Sequence, residues 1–455
     1  MNEDIKSALK NAITKPLSVL HQVRPRCQIP YVRWRKHEDG SWRSTNEQRT
    51  SLALVFIAAE QALQAAASDF ANLFFSQYPE YGPGRLVGVS GLAFEQLACD
   101  PACIPERAIA YIWEERGTFE FQQSDIENAV KDFEDFIEQS TISLRFQAQL
   151  LNFHMPATAL SLTGALRIRR LDEREISKFH GDPFARGRHP FDHPIHEFIL
   201  EGEYLGKKVM HGERADTLAA KDTATSLLDK AILSLRTFKD GPVGYDWVHF
   251  KFVKFCPLVL PSYGSLELQL RAGIYQLLEQ DTPALAEHTR QIFALSESAL
   301  ETACARLAYA ETRFRPQDQL LDAVIGLEAL LLAGDPKNEL SLRFSLNYST
   351  LFDSPEKRLR AYRIARDLYK NRSIIAHGGK VSVNSISVGE EKLNLNAAAK
   401  LAKDALRNLI KHFLPQAKTA PYKSPQFWEQ AYFQMPAPTT AESSSGTNFA
   451  RSPTS

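Results

Sequence analysis

The chain has 455 residues, with 54 Lys+Arg balanced by 54 Asp+Glu and 44% hydrophobic positions. That composition excludes a disordered or fibrous chain, and the zero formal charge excludes a protein that holds nucleic acid by bulk charge alone. The length allows about two to four domains, each able to bury its own core.

Residues 1–44 are weakly patterned. Between Arg24 and Arg43 basic residues alternate with Tyr31, Trp34 and Trp42, a mixture suited to stacking on nucleic acid but commoner in an amphipathic connection laid over a core. From Thr45 the pattern turns helical, with Leu52, Ala53, Phe56, Ile57 and Glu60 at helical spacing in an Ala-rich run over 46–76. A Gly/Pro-rich break from Tyr78 to Gly91 precedes a second helical block from Pro105 to Gln139. Cys99 and Cys103 have half of a zinc-site spacing without a second pair, so they read as thiols. Near Thr141 the period changes to two, with Ile142, Leu144, Phe146, Ala148 and Leu150 alternating with polar residues as in a half-buried strand. Further strands are expected at 158–169, 196–204 and 247–255, with a helix at 222–238. The loop from His180 to Glu197 gathers His180, Asp182, His189, Asp192, His193, His196 and Glu197, but Pro183, Pro190 and Pro194 deny these a common helical face. No metal is expected there.

Asp281-Thr282-Pro283 opens a helix expected to reach about Arg313, followed by helices at 317–333, 338–352, 355–377 and 396–414. The remainder, with PAPTTAESSSGTN, has a disordered composition. The expected fold class is therefore α+β and multidomain: a helical region over 1–140, a β-rich α+β domain over 141–275, an all-α bundle over 282–416 and a disordered tail over 417–455. Five scattered cysteines, no long apolar run and no apolar segment in MNEDIKSALKNAITK point to the cytoplasm and to no membrane partner.

The helix at 355–377 carries Lys357, Arg358, Arg360, Arg363, Arg366, Lys370 and Arg372 against Glu356 and Asp367. Such a concentration is either a solvated face or an anion-binding one. Three Arg-x4-His spacings occur, Arg188/His193, Arg372/His377 and Arg407/His412. Arg188 and His193 lie in the proline-rich loop; Arg407 and His412 fall beside an apolar stripe and are expected at the surface. Arg372 instead continues the buried row Ala361, Ala365, Leu368, and Glu328 continues the row Leu321, Ile325, Leu332 on an earlier helix. A guanidinium at a core edge needs a partner, so Glu328 is expected to orient Arg372, although Arg343 is an equally available partner for Glu328. A purely structural ion pair is the alternative.

The segment LYKNRSIIAHGG, with Arg372 and His377, resembles the signature of the HEPN superfamily, and its wording is similar to the Apea-like HEPN subgroup. The helix LLDAVIGLEAL at 320–330 and the run Glu339-Leu340-Ser341-Leu342-Arg343 share that resemblance, which covers about residues 285–415. It implies a helical bundle, a homodimer and metal-independent cleavage of RNA by Arg372 and His377, in phage defence or a toxin-like system. Glu328, Asn371 and Ser373 would support the site, and Lys357, Arg358, Arg363, Arg366 and Lys370 would hold RNA. No cofactor is expected. HEPN toxins silenced by a nucleotidyltransferase often carry Tyr two residues after the His; here that residue is Gly379. The alternative is a silent HEPN module that binds RNA or a nucleotide, or only dimerises.

Overall fold

Short polar caps and glycines set where the helices begin and end. The computed structural model describes residues 1–81, 86–89, 97–98, 101–180, 195–210, 219–258, 262–263, 273–334 and 339–433. Asn2 accepts the Ile5 amide to start α1 (Glu3–Thr14), which continues into α2 (Leu17–Val23). An antiparallel hairpin follows, β1 (Gln28–Lys36) and β2 (Trp42–Thr50), turning at Gly40 with φ 78°. This corrects two expectations. The basic-aromatic stretch is a strand pair, and the helical pattern begins only at α3 (Leu52–Ala58), where Ser51 caps the chain, before α4 (Glu60–Gln77). Trp34 is buried in a small core with Leu171, Ile176 and Ile199, which leaves it no face for a base.

Strands β3 (Leu86–Val89) and β4 (Leu97–Ala98) precede α5 (Ile104–Arg116) and α6 (Gln123–Glu138). The block expected over 105–139 is split by Gly117, whose φ of 72° a left-handed helix end requires. Then come β5 (Thr141–Leu151), β6 (Phe153–His154), β7 (Ala159–Thr163), β8 (Leu166–Arg170), α7 (Glu173–His180), β9 (Phe198–Val209), α8 (Ala219–Phe238), β10 (Gly244–Phe252), β11 (Ser262–Tyr263) and β12 (Tyr275–Gln276). The main sheet runs β11-β10-β5-β9-β3-β4, with β8 also on β9 and β7 on β8. Strand β5 is central and covered on both faces. Its apolar residues are buried as expected, but so are Gln147 and Gln149, which donate to Glu201 and to the His196 carbonyl. The polar half of the alternation thus faces a buried network, in which Arg167 and Arg169 also meet Glu201.

The rest is mostly helical: α9 (Thr282–Phe293), α10 (Ser298–Thr312), α11 (Pro316–Leu331), α12 (Leu340–Ser349), α13 (Pro355–Ala376), a hairpin of β13 (Ile386–Val388) and β14 (Glu391–Leu393), α14 (Leu395–Phe413) and α15 (Pro425–Phe433). The single helix expected over 281–313 is two, because the Glu297 carboxylate takes the amides of Ala299 and Leu300 and restarts the chain as α10. Nor is the segment after 417 a loose tail at first. Tyr422 and Trp428 are buried in the bundle, and Tyr422 and Lys423 both bond Glu297. Burial opposes ionisation of Glu297, but these partners and the two amides hold its carboxyl down to about 2.

The molecule is thus mixed helix and sheet with a C-terminal helical region. One core joins residues from Ile5 to Leu285, so the first helices and the sheet are packed together; a second runs from Ile292 to Trp428. Among the described residues no helix is long and apolar enough to cross a membrane.

Candidate functional site

Helix α13 carries most of the residues singled out above, and its ends are sharply set. Ser354 accepts the Lys357 amide ahead of Pro355, and the helix stops where Gly378 turns to φ 74°. The amides of Gly378 and Gly379 return to the carbonyls of Ile375 and Ile374, while a Cβ on Gly379 would press on Ile374. His377 is the last residue before this turn and is exposed.

Arg372 points to the neighbouring helix. One of its terminal nitrogens donates to Glu328 Oε2 at 2.9 Å, with the two side chains 24% and 17% exposed. Burial raises the Glu328 carboxyl above its ordinary value, and the charge and hydrogen bond of Arg372 oppose that rise. The guanidinium also lies 5.9 Å from the Tyr369 ring centroid, and Tyr369 packs on Phe344 at 5.2 Å. Geometry therefore favours Glu328 as the orienting partner of Arg372. Two atoms of the pair, Glu328 Oε1 and Arg372 Nε, are buried and find no hydrogen-bond partner among the described residues. Buried donors and acceptors in that state are uncommon and cost free energy.

The other residues divide. Asn371 is buried, and its amide donates to the Asp367 carbonyl of its own helix at 2.8 Å and to the Ser387 carbonyl of the hairpin at 3.4 Å. Ser373 is half-buried, and its carbonyl accepts the His377 amide. Arg372 and His377 are five positions apart, about 140° around an ideal helix and about 7.5 Å along it. Among the described residues no hydrogen bond joins them. His377 instead continues the spacing Arg363, Arg366, Lys370, Ser373, a stripe that recurs every three or four residues.

The positive face is less concentrated than its sequence implies. Arg358 donates to the Phe352 carbonyl at 2.8 Å, Arg360 pairs with Glu391 at 2.8 Å, Arg363 with Glu390, and Arg366 weakly with Asp367 at 3.4 Å. Among the described residues Lys357 and Lys370 make no ion pair. Glu390 and Glu391 were not singled out from sequence; the signal was the apolar pair Ile386 and Val388 ahead of Gly389, a turn glycine with φ 64°.

Arg407, expected at the surface, is 5% exposed. It meets Glu311 at 2.5 Å and Asp404 at 2.7 Å and donates to the Arg236 carbonyl at 3.2 Å, while Lys403 meets Glu311 at 2.9 Å. The apolar stripe of α14 covers one side of the helix, and this charged side is covered by α8 and α10. His412 is exposed, as expected. Arg188, His193, Cys99 and residues 181–194 of the histidine-rich loop lie outside the described residues. At that loop's end, His196 accepts the Asn152 amide at 3.4 Å and Glu197 pairs with Lys36 at 2.8 Å.

Compared with known proteins, the chain matches no family model, no curated protein and no solved structure.

Proposed function

We propose that the chain is a metal-independent endoribonuclease of HEPN type, acting as a homodimer without a cofactor, with Arg372 and His377 as catalytic residues. The observation that carries this reading is the state of Arg372: fixed by Glu328 through one terminal nitrogen, with its side chain still 24% exposed. A fixed, always-charged guanidinium that stays partly exposed suits a phosphate oxygen. His377, exposed beside a glycine turn, leaves room for a nucleic-acid backbone to come close.

In the proposed step an imidazole takes the proton of the 2′-hydroxyl. The 2′-oxygen attacks phosphorus, the bond to the 5′-oxygen breaks, and a second imidazole, from the other copy in the dimer, gives the leaving oxygen a proton. The products are 2′,3′-cyclic phosphate and 5′-hydroxyl ends. A histidine in either role is worth ~10²–10⁴-fold, and Arg372 offsets the charge gathering on the phosphate. Lys357, Arg363, Arg366 and Lys370 would align the strand. The activity would serve phage defence or a toxin-like role, with residues 1–280 as the sensing part.

A second reading, a silent module that binds RNA without cleaving it, is favoured by the angular separation of Arg372 and His377. Labelled RNA incubated in EDTA with the protein, Arg372→Ala and His377→Ala decides between them. Cleavage leaving cyclic phosphate ends, lost in both folded variants, supports the nuclease. Binding without cleavage supports the silent module, and neither activity refutes both.

A further inference from the structure

The basic face of α13 does not stand open. After Gly379 the chain doubles back and lays the hairpin β13–β14 along the helix. Its stem is fixed: Ile386 and Val388 are buried in the C-terminal core, Gly389 packs on Ile364, and the Gly389 amide donates to Asp367 Oδ2 at 2.9 Å. Its turn is acidic and wet. Glu390 and Glu391 are 69% and 57% exposed and meet Arg363 and Arg360. A buried stem thus holds two exposed carboxylates on two arginines of one helix face.

We propose that the turn Gly389–Glu391 is a built-in competitor for polyanions, occupying Arg360 and Arg363 until a phosphate backbone displaces both carboxylates. The inference rests on the RNA reading above and adds a regulation of the same surface. Exposed ion pairs of this kind are weak, so exchange needs no unfolding of the hairpin. A phosphate can replace a carboxylate on a guanidinium with equally good bidentate geometry. Isolated anions gain little from such an exchange. A continuous strand already seated on Lys357, Arg366 and Lys370 brings its phosphates to the masked arginines at high local concentration, and so is selected.

The test uses the full-length protein and a labelled 2′-O-methyl RNA, which cannot be cleaved by 2′-hydroxyl attack, beside retention on heparin. Glu390→Gln/Glu391→Gln is compared with a charge-matched control, Glu3→Gln/Asp69→Asn, on exposed positions of the first helices. The hairpin variant should bind RNA about tenfold tighter at low salt, with a salt slope steeper by about one to two counterions, and the control by no more than about twofold. Arg360→Ala/Arg363→Ala added to the hairpin variant should abolish that gain. An equal gain in the control, a gain that survives loss of the arginines, or parent-like RNA binding by the hairpin variant each overturns the mask. If no protein binds RNA but heparin retention still rises in the hairpin variant alone, the mask stands and the RNA reading falls. Unchanged retention together with no RNA binding removes both.

Discussion

Replacing Arg372 by Ala tests whether the Glu328–Arg372 pair is an oriented, half-buried contact. The variant deletes a charge-assisted hydrogen bond of 2.9 Å between side chains 24% and 17% exposed. Bonds to charged groups contribute about 1.5–3 kcal/mol, and the pair is not fully dry, so a loss of about 2 kcal/mol is expected. For a unit the size of the C-terminal core this lowers Tm by about 4–8 °C. The loss should depend on pH in a particular direction. Burial already raises the Glu328 carboxyl, and without Arg372 it rises further. A carboxyl raised in the folded state favours folding while protonated, and that contribution disappears as pH climbs through the folded value. The variant should therefore lie close to the parent at about pH 5 and well below it at about pH 8. Glu328→Gln in the Arg372→Ala background should recover most of the difference. Urea unfolding of the parent, Arg372→Ala, Glu328→Gln and the double variant at both pH values measures this cycle. A penalty independent of pH, with no recovery by Gln, would refute the picture of a buried carboxylate relying on Arg372.

Other outcomes follow from the packing. Arg407→Ala leaves Glu311, which is 3% exposed, without a main partner, and should cost about 3–5 kcal/mol in denaturant unfolding, whereas removing exposed Lys370 should cost less than about 0.5. A chain ending at Gln416 loses buried Tyr422 and Trp428, each worth about 3–5 kcal/mol, and should give a protease-sensitive bundle by limited proteolysis. His288, 6% exposed and hydrogen-bonded to the Thr237 hydroxyl at 2.8 Å, is pushed down to about 4 by burial, with Lys411 adding to the effect. It stays neutral when folded while the unfolded chain takes up a proton. Stability should therefore fall by about 2–3 kcal/mol as pH drops from about 6.5 towards 4, a slope that His288→Gln flattens in urea titrations.

What could be read from the chain follows the strength of local signals. Ser354-Pro355 and Gly378-Gly379 are a strong start and stop, so α13 appears within a residue of its expected limits. The apolar rows through Leu368 and Ile325 placed Arg372 and Glu328 at core edges before any contact was known. The first hairpin was missed because Arg33, Arg35 and Arg43 sit on strands too exposed to show a clean alternation, although Asp39-Gly40 is a strong turn signal. The second is only three residues on each side. Arg407 was misplaced because its own helix gives no hint that α8 covers the charged side. The break between α9 and α10 was hidden since Glu is an unusual cap and the apolar spacing runs on across it.

Gly326 lets two helices of the C-terminal region pack closely. A Cβ there would sit 2.5 Å from a methyl of Leu406 and 3.1 Å from Arg306, so α11 and α14 touch almost backbone to side chain. Leu406 adjoins Arg407, which is bolted to the end of α8 through the Arg236 carbonyl, and Glu328 lies two residues beyond Gly326. A side chain at position 326 would push α14 away from α11, strain the hold of Arg407 on α8 and disturb the helix that carries Glu328.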